Sequence, residues 1–86
     1  MILDFTKAAV WDLQSIGSYT LETWGGEQEQ RYLDGLWAKF EELLAEPSRW
    51  RQRDDLFPGC RIAAQGKHVI LFREAGAVLE SVRLLH

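Results

Sequence analysis

The sequence has 86 residues, of which 47% are hydrophobic and 27% charged, with a formal net charge of −3 at pH 7. This length allows one small domain, residues 1–86, and the acidic balance argues against a general polyanion binder, whose affinity arises from cations that neutralise phosphates. A single cysteine, Cys60, excludes an internal disulfide, and no apolar run approaches the roughly 20 residues that span a bilayer. We therefore expect a cytoplasmic protein with no membrane segment, no metal site and no cofactor.

The first third of the chain predicts a strand followed by a helix. Ile2–Phe5 is a short apolar run, and Thr6 then stands where a helix N-cap would accept a free backbone amide. Apolar residues recur every three or four positions over Lys7–Trp24, which predicts the helix itself. Gly25-Gly26 ends it, because glycine readily adopts the positive φ that terminates helices.

A second helical pattern follows directly and is limited by Pro47. Glu27 and Glu29 lie near its start, where the helix dipole favours carboxylates. The wide apolar face comprises Tyr32, Leu33, Leu36, Trp37, Phe40, Leu43 and Leu44. Two long helices joined by two glycines are predicted to fold back as an antiparallel hairpin.

The last third of the chain predicts strands. Residues 48–59 are charged and irregular and close with the turn signal Pro58-Gly59. Three strand-like segments follow, CRIAAQ, KHVILFR and AVLESVRLL. Gly66-Lys67 suits a tight hairpin turn, and Glu74-Ala75-Gly76 suits a longer one. The predicted fold class is α+β: an N-terminal strand and an antiparallel helical hairpin packed on a C-terminal three-stranded antiparallel sheet, in the order β-α-α-β-β-β.

The segment SRWRQRDDLFPGCR, residues 48–61, concentrates arginine around two aromatic residues. Arginine interleaved with aromatic side chains such as Trp50 and Phe57 is typical of sites that bind phosphates and stacked bases. Asp54 and Asp55 cancel much of that charge locally. We therefore predict a loop that is braced by arginine–aspartate pairs and that recognises protein, and we expect no direct binding of nucleic acid.

One set of residues could carry nuclease chemistry. Arg61, Arg73 and Arg83 lie on three successive predicted strands, so they either converge on one face of the sheet or flank its edges in solvent. Cleavage of RNA needs such cations together with an acid–base group. The best candidate for the general acid or base is His86, and Glu46 is the candidate carboxylate on the opposite side of the site.

Segments across nearly the whole chain resemble, in order and spacing, the ParE branch of the RelE/ParE superfamily of bacterial toxins. They are FTKAAVWDLQSI, TWGGEQEQRYLDGL, FEELLAEPSRWR, LFPGCRIAAQGKHVILFR and VRLLH. The resemblance implies a toxin of a type II toxin–antitoxin module that stabilises a plasmid or chromosome, and a cognate antitoxin whose C-terminal part wraps the toxin in a hetero-oligomer. It also implies DNA gyrase as the target, which ParE-type toxins trap on cleaved DNA. The family pattern continues past VRLLH with a short polar tail that is often tied to toxicity, and this sequence ends at His86.

RelE-type relatives instead cleave mRNA inside the ribosome, which is the alternative function. Docking on ribosomal RNA favours a strongly basic protein, whereas this chain is acidic. We therefore predict a toxin that inhibits gyrase by binding and is not an enzyme. The alternative, an mRNA endonuclease, would use Arg61, Arg73, Arg83, His86 and Glu46.

Two sets of residues are candidate protein contacts in this interpretation. Binding energy concentrates in aromatic and arginine anchors, and the candidate target-binding residues are Trp50, Phe57, Arg61, Arg83 and His86. The antitoxin is expected to bind as a helix in an apolar groove or as an added strand. Its candidate contacts are Trp11, Trp37, Phe40, Val69 and Leu71.

Overall fold

Two helices pack on a five-stranded sheet in this computed structural model, which describes residues 1–86. The elements are β1 (Ile2–Phe5), α1 (Lys7–Trp24), α2 (Gly26–Ala45), a 3₁₀ turn (Pro47–Arg49), β2 (Arg51–Gln52), β3 (Arg61–Gln65), β4 (His68–Ala75) and β5 (Val78–Leu85). This order confirms the predicted α+β class and helical hairpin. Neither helix combines the length and the apolarity that crossing a membrane requires.

Local side-chain chemistry fixes both ends of α1. The Thr6 hydroxyl accepts the amide of Ala9 at 3.0 Å and donates to the carbonyl of Val82 at 2.7 Å. The predicted N-cap is confirmed, and it also anchors the start of α1 to β5. At the other end Gly25 has φ +89° and its amide donates to the Leu21 carbonyl at 3.0 Å. Because only glycine adopts this φ without strain, α2 can begin at the next residue.

The strands have the order β1-β5-β4-β3-β2. The pairs among β2 to β5 are antiparallel, as predicted for the C-terminal strands, but β1 is parallel to β5 and makes the sheet mixed. Residues 51–52 form a short strand, where we predicted an irregular segment. The sequence did not indicate this strand, because two paired residues are too few to show an alternating pattern. The last turn is Gly76-Ala77, shorter than the predicted Glu74-Ala75-Gly76, since Ala75 still pairs with Val78.

The core lies between the helical hairpin and one face of the sheet. It comprises Ala9, Ile16, Leu36, Phe40, Leu43, Ala63, Ile70, Phe72, Leu79 and Leu84. Strand β5 contains a bulge. Leu71 of β4 pairs with Arg83 and Phe72 pairs with Ser81, so Val82 is an extra residue without a partner on β4. The bulge turns the Val82 carbonyl toward Thr6, so α1 covers β5 where β1 ends.

Candidate functional site

A groove of about 900 Å³ opens where the hairpin of helices meets the β3–β4 turn. Its walls include Tyr19 and Trp24 from α1, Tyr32 from α2, Lys67 and His68 from the turn and the start of β4, and His86 after β5. Its position follows from the fold, because the α1–α2 junction and the β3–β4 turn lie at the same end of the molecule. The groove therefore collects aromatic, cationic and imidazole side chains from segments that are distant in sequence.

Tyr32 and His68 form a hydrogen-bonded pair in the groove. The Tyr32 hydroxyl also donates to the Gln65 carbonyl at 3.1 Å. Since this hydroxyl has a single proton and the carbonyl only accepts, the network assigns the His68 Nδ1–H as donor to the Tyr32 oxygen. The Nε2 atom of His68 then keeps its lone pair. Burial, with a smaller contribution from His86, lowers the pKa of His68, so its neutral form is favoured.

His86 is the third member of this cluster, and the absence of a side chain at Gly66 leaves space for the Tyr32 ring. The rings of His68 and His86 meet edge to face, with centroids 5.4 Å apart. Gly66 has φ +57°, and a Cβ at this position would lie 2.7 Å from the Tyr32 ring. Only glycine therefore satisfies the hairpin turn and the close approach of Tyr32.

Asp12 also lines the groove, but its carboxylate is fully occupied. It is 5% exposed and accepts from Arg83 at 2.7 and 2.9 Å and from the Leu84 amide at 2.9 Å. Burial acts to raise the pKa of Asp12, and the hydrogen bonds from Arg83 and Leu84 outweigh it, so the pKa lies below its usual value. The ion pair connects α1 to β5, and the Arg83 side chain is therefore engaged in a contact within the fold.

The structure does not bring together the residues of the nuclease alternative. Arg61 donates to the carbonyls of Ser48 and Trp50 at 3.3 and 2.7 Å, and Arg73 pairs with Glu80 at 2.9 Å. Arg61 pairs across the sheet with core residue Phe72, so it lies on the helix-facing side, whereas Arg73, the next residue of β4, points to the other side.

Distance also separates the proposed acid–base group from these arginines. His86 contacts His68 at the start of β4, whereas Arg61 pairs with Phe72, four residues farther along that strand. At about 3.3 Å per residue the separation along the strand is about 13 Å. Glu46 is exposed at the C-cap of α2. The predicted combination of these groups is therefore not assembled in this structure.

The candidate target-binding residues fall into two regions. Trp50 is half-buried against the core, and Lys39 and Arg49 lie 5.0 and 5.1 Å from its ring centroid. Phe57 is half-buried in the β2–β3 loop, and the Arg61 contacts described above support the same segment. Arg83 lies on β5 opposite Leu71 of β4, and His86 follows the same strand, so β4 separates both residues from Arg61.

The predicted arginine–aspartate brace of the β2–β3 loop is present. Arg53 donates to both carboxylate oxygens of Asp55, at 2.8 Å each. The Asp54 carboxylate accepts the Gly59 amide at 2.8 Å. Both aspartates of this segment therefore make hydrogen bonds within the loop.

The candidate antitoxin contacts differ in their accessibility. Trp11 and Trp37 are 65% and 50% exposed, whereas Phe40 is 1% exposed. Phe40 packs in the core, with its ring centroid 5.2 Å from that of Phe5, so its prediction as a direct contact is wrong. The structure leaves little accessible area on β4 too: Leu71 is 9% exposed and Val69 is half-buried.

Sequence reasoning did not find the groove as a unit. Of its walls only His86 was predicted as a functional residue; Tyr32 was predicted on the apolar face of the second helix and Lys67 in a turn, and no function was predicted for Tyr19 or Trp24. The available signal was the pairing of the last two strands. Once β4 and β5 are antiparallel with Val69 opposite Leu85, the side chains that flank this pair, His68 and His86, become neighbours.

Comparison with known proteins gives consistent matches. The family model described as "ParE toxin of type II toxin-antitoxin system, parDE" matches residues 3–86. The protein is 33% identical over 81 residues to Toxin ParE1 of Caulobacter vibrioides and 32% identical over 82 residues to Toxin ParE1 of Mycobacterium tuberculosis. These alignments cover 94% of this chain and 83% and 84% of the relatives.

A solved structure shows the same fold. A chain described as the chromosomal ParDE TA system from P. aeruginosa superposes with a TM-score of 0.84 at 20% identity, covering 100% of this chain and 95% of that one. Fold and family together define the toxin component of a type II toxin–antitoxin module. The chain belongs to the ParE toxin family.

Proposed function

We propose that this toxin inhibits DNA gyrase by binding it and holding it on cleaved DNA, in the cytoplasm. The observation that carries the proposal is the ParE family match over residues 3–86, because ParE-type toxins act on gyrase. A cognate antitoxin binds the toxin in a hetero-oligomer and neutralises it. The description of the similar P. aeruginosa structure as a ParDE system supports this partnership.

The toxin acts by binding, with no catalytic step and no direct contact with nucleic acid. The arginines that a nuclease would need support this proposal, because each already has an intramolecular partner. Arg61 holds backbone carbonyls, Arg73 holds Glu80 and Arg83 holds Asp12. Recruiting any of them to a phosphate would break contacts within the fold.

The target surface lies around Trp50 and Phe57. Trp50 is half-buried with the guanidinium of the exposed Arg49 over its ring, and aromatic and arginine residues are the usual anchors of protein interfaces. Arg61 is a positioning residue of this surface, since its bonds to the Ser48 and Trp50 carbonyls fix the segment. The other candidates, Arg83 and His86, lie on and just after β5, which β4 and β3 separate from β2, and we assign them to the antitoxin surface beside the groove.

The antitoxin covers exposed apolar side chains of the helical hairpin. Trp11 and Trp37 are the predicted contacts that remain accessible. Val69 and Leu71 contribute through the outer face of the sheet, where a partner would bury the remainder of their surface.

A gyrase supercoiling and cleavage assay with the purified toxin tests this function. We expect the toxin to inhibit supercoiling and to accumulate cleaved DNA, and we expect the antitoxin to abolish both effects. Trp50→Ala should weaken inhibition by about tenfold or more if Trp50 is an anchor, whereas Arg31→Gln, an exposed change on α2, serves as the control.

The same preparation distinguishes the alternative function. If gyrase is unaffected while programmed ribosomes show new mRNA cuts that His86→Ala removes, the toxin is an endonuclease and the binding mechanism is refuted. If neither effect occurs with a toxin that the antitoxin still binds, gyrase is not the target.

A further inference from the structure

We propose that the groove binds an apolar segment of the antitoxin that carries a carboxylate, and that this carboxylate sits against Lys67 and the Nε2 face of His68, with uptake of a proton. The proposal rests on the antitoxin partnership proposed above. It adds the location of one contact region, the chemistry of the segment that fills it, and a dependence of toxin–antitoxin affinity on pH.

The walls of the groove favour an apolar occupant. Tyr19 and Trp24 are 65% and 66% exposed and both line the groove, so the groove presents aromatic surface that a partner can bury. The volume of about 900 Å³ lies at the upper end of the range for small-molecule pockets. It accommodates several side chains of an amphipathic segment.

The charges of the groove favour a carboxylate. Asp12 is the acidic side chain among the lining residues, and Arg83 and the Leu84 amide neutralise it. Lys67 makes no ion pair and is exposed beside His68. In a chain with a net charge of −3, the groove thus offers an unpaired cation to a partner. An acidic residue on the antitoxin segment complements it.

His68 lines the groove and has one ring nitrogen without a partner, which can bind that carboxylate. Its Nδ1–H donates to Tyr32, which leaves Nε2 as the atom that gains a proton and then donates to the ligand. The titratable groups that face it are Tyr19 and the Asp12–Arg83 pair from α1 and β5, Tyr32 from α2, Lys67 from the turn, and His86.

The direction of the pH effect follows from the state of the free toxin. Burial and His86 keep the pKa of His68 below its ordinary value, so the free groove holds a neutral imidazole near pH 7. A carboxylate favours the charged imidazole and raises this pKa in the complex. Binding therefore takes up a proton, and affinity increases as the pH falls. A rise of about one pKa unit corresponds to a gain of up to about tenfold.

Calorimetric titration of the full toxin with its full-length cognate antitoxin tests the proposal. We expect binding to be about three- to tenfold tighter at about pH 6 than at about pH 8. His68→Gln should remove this difference, whereas Tyr32→Phe, which keeps the imidazole, should retain it. Lys67→Met should weaken binding about two- to fivefold at both pH values. Lys7→Met removes the same charge outside the groove and should leave affinity unchanged.

The possible failures are distinguishable. Tight binding that is insensitive to pH and to Lys67→Met would refute the groove as the carboxylate site and leave the toxin–antitoxin function intact. A pH dependence that persists in a folded His68→Gln variant would place the titrating group elsewhere and refute the role of His68. Absence of any binding would refute both the partnership and the groove.

Discussion

The Asp12–Arg83 ion pair gives the sharpest test of how the fold is held together. In Asp12→Ala the buried Leu84 amide loses its acceptor and Arg83 loses both hydrogen bonds. An unsatisfied buried amide costs about 1–3 kcal/mol, and hydrogen bonds to a charged group contribute about 1.5–3 kcal/mol. Because the Arg83 side chain is 41% exposed, water compensates part of its loss. We expect a free energy of unfolding lower by about 2–3 kcal/mol.

Urea unfolding followed by circular dichroism measures this change, together with a melting temperature lower by about 10–20 °C for a domain of this size. Asp12→Asn keeps an oxygen that accepts the Leu84 amide, so it should cost less than Asp12→Ala. A loss below about 0.5 kcal/mol in Asp12→Ala would refute the reasoning.

The same pair makes stability depend on pH. The pKa of Asp12 is below its ordinary 3.8 in the folded state, so its stabilising contribution is present above that value and is lost as the pH falls through the folded pKa. The acid unfolding of Asp12→Asn should therefore be less steep below about pH 4 than that of the unaltered protein. Equal steepness in both proteins would show that Asp12 does not carry the effect.

Three further substitutions test other contacts by the same unfolding measurement. Ser81→Ala should be neutral or stabilising by up to about 1 kcal/mol, because the buried Ser81 hydroxyl has no hydrogen-bond partner, and a clear loss would refute this. Gly66→Ala should lower the free energy of unfolding more than Gly76→Ala. Both glycines have positive φ, but only at Gly66 would a Cβ clash with Tyr32. Equal losses in the two variants would contradict the clash. Phe40→Ala should lower the free energy of unfolding by about 3–5 kcal/mol. Trp37→Ala should lower it less and should mainly weaken antitoxin binding. The reverse order of the two losses would contradict the assignment of Phe40 to the core and Trp37 to the surface.

The sequence predicts the helices well because their signals are local. Thr6, the apolar spacing over Lys7–Trp24 and the two glycines specify α1 and its connection without reference to the sheet. The pattern is less informative about which apolar residues are accessible. Trp37 and Phe40 lie three residues apart on α2 and both contact Phe5 of β1, but only Phe40 packs in the core between the helices and the sheet.

The candidate site was harder to predict because it depends on register. The extra residue Val82 shifts the pairing of β5 against β4, and a shift of one residue reverses the face on which each side chain lies. No local signal marks this bulge, so the convergence of the three strand arginines could not be decided from spacing. The groove depends further on the meeting of α1, α2 and the β3–β4 turn, which no single segment encodes.

The parallel pairing of β1 with β5 has a consequence for biosynthesis. The bond from Thr6 to Val82 joins residues 76 positions apart, and β1 has no strand partner other than β5. Contacts of such long range form late in folding. While a ribosome is still translating β5, the nascent toxin therefore lacks both its completed sheet and the Leu84 and His86 walls of the groove. Pulse proteolysis of stalled nascent chains should show protease resistance only after the β5 residues have left the exit tunnel.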